Sequence, residues 1–146
     1  MNALDGIEIV VFDVDGTLTQ QWTTHILPGR QEILTRLHTA KKRIFMATNQ
    51  AGPAYQAWHT IIHSPMPIDY PDLITILSNM DNIRQQIGAE YCYVALHPGR
   101  QDIMDTLSKG MINTITRVAE SHHGKIKSSH NPRWRKPQSG MLEAII

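Results

Sequence analysis

The sequence predicts an α/β protein, a doubly wound parallel sheet in a single domain over residues 1–146. Three observations carry this expectation. Short, β-branched apolar runs alternate with stretches of helical periodicity. The apolar runs end on polar residues able to do chemistry, as strands do when a ligand sits beyond their carboxyl ends. A length of 146 residues is enough for one hydrophobic core.

The elements follow in order. Ile7–Phe12 is the first strand, with Ile7, Ile9 and Val11 alternating with Glu8, Val10 and Phe12. Pro28-Gly29 opens a helix running to about Lys42, with Ile33, Leu34 and Leu37 on one face. Ile44–Ala47 is the second strand. Tyr55–His63 reads as a helix, closed by the breaker Ser64-Pro65-Met66-Pro67. Pro71–Ile87 is a further helical stretch, ended by Gly88, and Tyr91–Leu96 is the third strand. Ile103–Ala119 reads as helical despite an internal Gly110, followed by a loop and a last helix after Lys136-Pro137.

Composition narrows the class. A net charge of +1 gives no strong global steering of nucleic acid or acidic partners. The single cysteine, Cys92, rules out an internal disulfide framework and is expected to be a buried strand residue. No signal-peptide pattern and no apolar run long enough to cross a bilayer is present, so a soluble cytoplasmic protein is expected, without a membrane partner. No phosphate-binding P-loop pattern occurs.

The first strand ends in Val10-Val11-Phe12-Asp13-Val14-Asp15-Gly16-Thr17-Leu18. Alternation along an extended chain points Asp13 and Asp15 to the same side. Two carboxylates converging at a strand end suit a hard cation such as Mg²⁺, and they also provide a nucleophile and a proton carrier. Gly16 allows a tight turn whose amide can face a bound anion. The second strand ends in Thr48-Asn49-Gln50-Ala51-Gly52. A hydroxyl and amides there can donate to phosphate oxygens, or Asn49 or Gln50 can cap the next helix. The third run of interest is Arg135-Lys136-Pro137-Gln138-Ser139-Gly140-Met141-Leu142, where Pro137 suits the first turn of a helix.

These three runs, in this order, resemble the motifs of the haloacid dehalogenase superfamily. Asp13-Val14-Asp15-Gly16-Thr17-Leu18 is similar to its first motif, and Thr48 with Asn49 and Gln50 to its second. The Lys136 run is similar to the third motif of the branch holding histidinol-phosphate, heptose-bisphosphate and polynucleotide 3′-phosphatases, with Ser139 where that branch usually has Pro. The resemblance implies a Rossmann-like, capless core and a Mg²⁺-dependent phosphomonoesterase. By it, Asp13 is the nucleophile that becomes an aspartyl-phosphate, and Asp15 the general acid/base. Lys136 neutralises the nucleophile and the phosphoryl group. Thr48, Asn49, Gly16 and Lys136 contact phosphate, and Asp13 and Asp15 hold the metal. The short gap between Leu18 and Pro28 leaves no room for a cap domain. The resemblance implies as substrate either a small phosphorylated metabolite or a nucleic-acid 3′ end.

Some relatives carry a structural zinc loop. Here Val94, Leu96 and Pro132-Arg133-Trp134 stand near its ligand positions and only His97 remains, so no structural zinc is expected. His59 and His63, four apart, read as a half-exposed helix face rather than a zinc pair. Lys125, Lys127, Arg133 and Arg135, with His130 and Trp134, form a basic stretch able to track a nucleic-acid backbone, though a solvated loop is the favoured reading. Trp22 either lines the substrate mouth or packs in the core. The family's fourth motif, an acidic Gly-Asp-x-x-x-Asp, does not follow Lys136. The expectation is therefore a core missing its C-terminal strand or strands. Mg²⁺ would be held weakly and the first strand would be left at a sheet edge, prone to self-association. The alternative is a non-catalytic remnant that binds phosphate or a partner.

Overall fold

The computed structural model describes residues 2–122, 124–138 and 140–146; Ser139, the departure noted in the third motif, lies outside the described residues. Four strands, β1 (Ile9–Phe12), β2 (Arg43–Asn49), β3 (Cys92–Ala95) and β4 (Ile126–Ser129), form one sheet in the order β1-β2-β3-β4. All pairings are parallel, with Phe12 opposite Met46, Met46 opposite Cys92 and Cys92 opposite Ile126. The helices are α1 (Arg30–Thr39), α2 (Gly52–Ile61), α3 (Leu73–Ile87), α4 (Gln101–Thr106), α5 (Lys109–His122) and α6 (Gly140–Ile145). A 3-10 turn covers Pro132–Trp134.

The period-2 alternation of the strands sorts the core onto two faces. Val10, Phe12, Ile44, Met46, Cys92, Val94 and Ile126 face Leu34 and Leu37 of α1, Ile76, Leu77, Met80, Ile83 and Ile87 of α3, and Ile115 of α5. The opposite face is thinner. There Val11, Ala47, Tyr93 and Ala95 pack with Trp134 and Met141. A satellite cluster joins α2 to α4 through Ala54, Trp58, Ile103 and Leu107. Helices thus lie on both faces of an all-parallel sheet, as the sequence predicts. Among the described residues β1 pairs with β2 alone, and all four of its residues are half-buried.

Several elements differ from the sequence reading. Ile126–Ser129, read as loop, is the edge strand β4. With one strongly apolar residue, Ile126, it lacks the run that marks a strand, and at an edge that one buried side chain suffices. The helix expected over Ile103–Ala119 is two helices. Leu107 is extended, with ψ of 128°, and the Ser108 hydroxyl accepts the Met111 N–H at 3.2 Å, capping α5. Gly110 therefore sits in the first turn of α5, where its cost is small. Helix α3 starts two residues after Pro71, because the Asp72 side chain accepts the Thr75 N–H at 2.8 Å. Ile33, expected on the buried face of α1, is 50% exposed. His63 lies beyond α2 with φ of 51°, so it does not share a helix face with His59. No described helix is long and apolar enough to cross a membrane.

Cys92 is fully buried, as expected, and burial pushes its thiol well above the ordinary cysteine range. The native protein is expected to resist thiol alkylation at neutral pH and to label only on unfolding. Mass spectrometry after iodoacetamide treatment, with and without denaturant, checks this; rapid native labelling would contradict the packing of β3.

Candidate active site

The site begins where β1 stops. Val14 and Leu18 are fully buried, and the amides of Thr17, Leu18 and Thr19 all donate to the Val14 carbonyl. Anchoring Val14 in the core leaves its neighbours, Asp13 and Asp15, to line one cavity at the carboxyl end of the sheet. Both carboxylates therefore converge as the alternation predicts. Gly16 turns the chain with φ of 76°, a conformation that glycine adopts without strain. Its amide does not face an anion as expected. It donates to the Thr19 carbonyl at 2.8 Å and closes the loop instead.

The two carboxylates have different surroundings. Asp13 is 45% exposed in its side chain, takes a hydrogen bond from the Thr17 hydroxyl at 3.2 Å, and forms an ion pair with Lys136 Nζ. Asp15 accepts from neutral donors, the Trp22 backbone N–H at 2.9 Å and Gln50 Nε2 at 2.8 Å. Gln50 Nε2 also donates to Thr48 Oγ1 at 3.0 Å. The Thr48 hydroxyl, buried at the end of β2, then keeps its own proton to donate into the cavity.

Lys136 reaches this place from far along the chain. Besides Asp13, its ammonium donates to the Ala47 carbonyl at 3.0 Å. Its backbone is gripped on both sides by one side chain. Asn49 Oδ1 accepts the Lys136 N–H at 3.0 Å, and Asn49 Nδ2 donates to the Lys136 carbonyl at 3.3 Å. The Asn49 carboxamide, expected to contact phosphate, is thus occupied in positioning Lys136. Flanking residues add two more tethers. Trp134 packs on Tyr93 with ring centroids 5.7 Å apart, and Arg135 donates to the His97 carbonyl at 3.0 Å. His97 Nδ1 accepts the Gly99 N–H at 2.9 Å, and burial, then the Arg135 charge, holds its imidazole below the usual histidine range, favouring the neutral form this bond needs.

Pro137, expected in the first turn of a helix, lies instead in a turn that ends before α6 begins at Gly140. The glycine is required by closeness. A Cβ on Gly140 would sit 2.5 Å from the Arg133 carbonyl oxygen, so the helix can approach the Lys136 loop only without one. Sequence reasoning missed Gln50 and the Trp22 amide as the partners of Asp15. Gln50 sits in the second motif and could have been weighed; a backbone donor seven residues from its acceptor leaves no mark in a sequence.

The cavity bounded by Asp13, Asp15, Thr48 and Lys136 has a volume of about 360 Å³, and Trp22 and Tyr70 form part of its wall. The two aspartates are hard oxygen donors of the kind Mg²⁺ prefers, with water and a ligand's oxygens completing its shell. No group of three or more His, Cys, Asp or Glu side chains with metal-site geometry occurs among the described residues. The basic stretch does not gather here. Lys125 and Lys127 lie over Tyr91, beside the amino end of β3, while Arg135 and Lys136 lie at the carboxyl ends of the strands.

A family model described as haloacid dehalogenase-like hydrolase matches residues 10–109. No curated protein matches. No solved structure matches.

Gly140→Ala is expected to destabilise the fold by about 1–3 kcal/mol, the usual cost of overpacking against a rigid neighbour. Urea unfolding checks this; a midpoint unchanged from wild type would mean that α6 does not press on the Lys136 loop.

Proposed function

Because the chain belongs to the haloacid dehalogenase-like hydrolases, we propose that it is a Mg²⁺-dependent phosphomonoesterase working through an aspartyl-phosphate. The observation that carries this reading is the meeting of Asp13, Asp15 and Lys136 in one cavity, with Lys136 paired to Asp13 across 123 residues of sequence. An Arg-Lys-Pro run with a sterically required Gly140 supports the branch of histidinol-phosphate, heptose-bisphosphate and polynucleotide 3′-phosphatases.

The steps follow from the residues. An Asp13 carboxylate oxygen attacks phosphorus in line with the ester oxygen. As the O–P bond to Asp13 forms, the ester P–O bond breaks, and Asp15 gives its proton to the leaving alkoxide. Water then attacks the aspartyl-phosphate, Asp15 takes the water's proton, and the Asp13–phosphorus bond breaks to release phosphate. Lys136 offsets the charge of Asp13 and of the phosphoryl oxygens throughout. The Thr48 hydroxyl donates to a phosphoryl oxygen. Mg²⁺, held by the Asp13 carboxylate and the Asp15 backbone carbonyl, would supply electrostatic screening between carboxylate and phosphate. The dispersal of the basic stretch favours a small phosphorylated metabolite over a polynucleotide end, which would need a continuous basic track.

Asp13→Asn is expected to abolish hydrolysis of an aryl phosphate with the fold intact by circular dichroism. Asp15→Asn is expected to be severe and to leave a trapped phosphoenzyme, seen as an added phosphate by mass spectrometry. Asp13→Asn activity within tenfold of wild type would sink the assignment. Phosphate binding without turnover in the wild type would favour a binding protein instead.

Chelation should abolish turnover, and Mg²⁺ should restore it at millimolar rather than micromolar levels, because among the described residues the cavity gathers two carboxylates and one of them must carry the proton. Tight Mg²⁺ binding by calorimetry in the absence of substrate would contradict this.

A further inference from the structure

One wall of the cavity is aromatic, and the hydrolytic steps above make no use of its rings. Trp22 and Tyr70 line the same space as Asp13, Asp15 and Lys136. The Trp22 indole meets Tyr70 edge-on, with centroids 5.9 Å apart, and Tyr70 stacks on Tyr55 at 5.6 Å and 11°. The wall is braced from behind. The Tyr55 hydroxyl donates to the Pro98 carbonyl at 3.3 Å, and Gln56 Nε2 donates to the Tyr70 carbonyl at 2.7 Å. Gly52 leaves room for Tyr70, since a Cβ there would lie 3.1 Å from the Tyr70 Cβ.

Trp22 is placed at a cost. It is 37% exposed, so its indole is not fully used as core. Its φ is 59°, the left-handed region that a bulky L-residue rarely adopts. Backbone strain of this kind collects where a side chain or amide must be held in a set place. Here one residue does both, since its N–H fixes Asp15 at 2.9 Å while its ring projects at the mouth. A braced, partly exposed aromatic surface next to a polar reaction centre is the arrangement that stacks a planar ring.

Resting on the phosphomonoesterase reading, we infer that the alcohol part of the substrate carries a planar aromatic ring that stacks on the Trp22–Tyr70 wall while its phosphate lies at Asp13. The ring is either borne on a sugar, as in a nucleoside monophosphate, or attached directly to the ester oxygen. A sugar phosphate without a ring leaves the wall unused.

The test compares adenosine 5′-monophosphate with ribose 5-phosphate, whose leaving alkoxides are alike, and phenylphosphonate with methylphosphonate as inhibitors. The ring-bearing member of at least one pair is expected to be favoured by roughly tenfold or more, the range of a base–aromatic stack, and the gain should appear in KM or in the inhibition constant. The nucleotide pair identifies a sugar-borne ring and the phosphonate pair a directly attached one. Trp22→Ala should bring the favoured ratio close to one, whatever it does to the absolute rate. Equal handling within both pairs, or a ratio that Trp22→Ala leaves unchanged, overturns the inference. Should no ester be hydrolysed, the phosphatase reading fails separately. Calorimetric binding of the same two pairs then decides on the ring, with a tighter ring-bearing ligand supporting the wall and equal binding overturning it.

Discussion

The structure around the site depends on one electrostatic requirement. Two carboxylates emerge from the end of an apolar strand, and their charge must be met by something fixed. Lys136 meets that of Asp13, and the elements near the carboxyl ends of the strands are arranged so that it can. Its ammonium is shared between Asp13 and the Ala47 carbonyl, which aims it along the end of β2 rather than out into solvent. With side-chain exposures of 35% for Lys136 and 45% for Asp13, water screens the pair in part, so its geometry rests on the loop that carries the lysine.

That loop is held by backbone recognition and small residues more than by charge. Asn49 reads the Lys136 peptide from both sides, much as a neighbouring strand would. Ala47 and Ala95, on the face that Trp134 and Met141 cover, are small enough for the turn and α6 to lie close on the sheet. The opposite face is the thick one, filled by α1, α3 and α5. The division is functional in form: a conventional core on one side carries the stability, and a thin layer on the other positions a single cation.

Strands whose residues were apolar enough to be buried on both sides were legible, and so were the polar residues at their carboxyl ends. Asp13, Asp15, Thr48 and Lys136 converge because each follows directly from a strand end or from a motif fixed near one. What escaped was set by tertiary context. Ile126-Lys127-Ser128-Ser129 is a strand because β3 offers it an edge, not because its composition asks for one. The break at Leu107-Ser108 was visible in principle as a serine cap, but the apolar periodicity of Ile103, Leu107 and Met111 runs across it and hides it. Asn49 and Gly16 were assigned to phosphate by motif, and their atoms turn out to be committed within the protein. A motif records which residue types recur, while a hydrogen bond is satisfied once, and here the partners were already present.

The contrast between the two aspartates gives the proposed division of labour its physical form. Asp13 is locked to a cation, so its charge is balanced where the proposed mechanism brings an anionic phosphoryl group. Asp15 is held by an amide N–H and a carboxamide, both neutral, one donor to each oxygen. Moving a proton on or off Asp15 breaks no ion pair, and each of its oxygens keeps a further lone pair for that proton. Gln50 also ties Asp15 to Thr48, so the carboxyl proposed to carry the proton and the hydroxyl proposed to meet the phosphoryl group keep a fixed separation. Exchanging the two roles would require breaking the Lys136 pair in every cycle. The same residue type thus meets two environments because β1 delivers one carboxylate to the lysine and the turn at Gly16 presents the other to neutral donors.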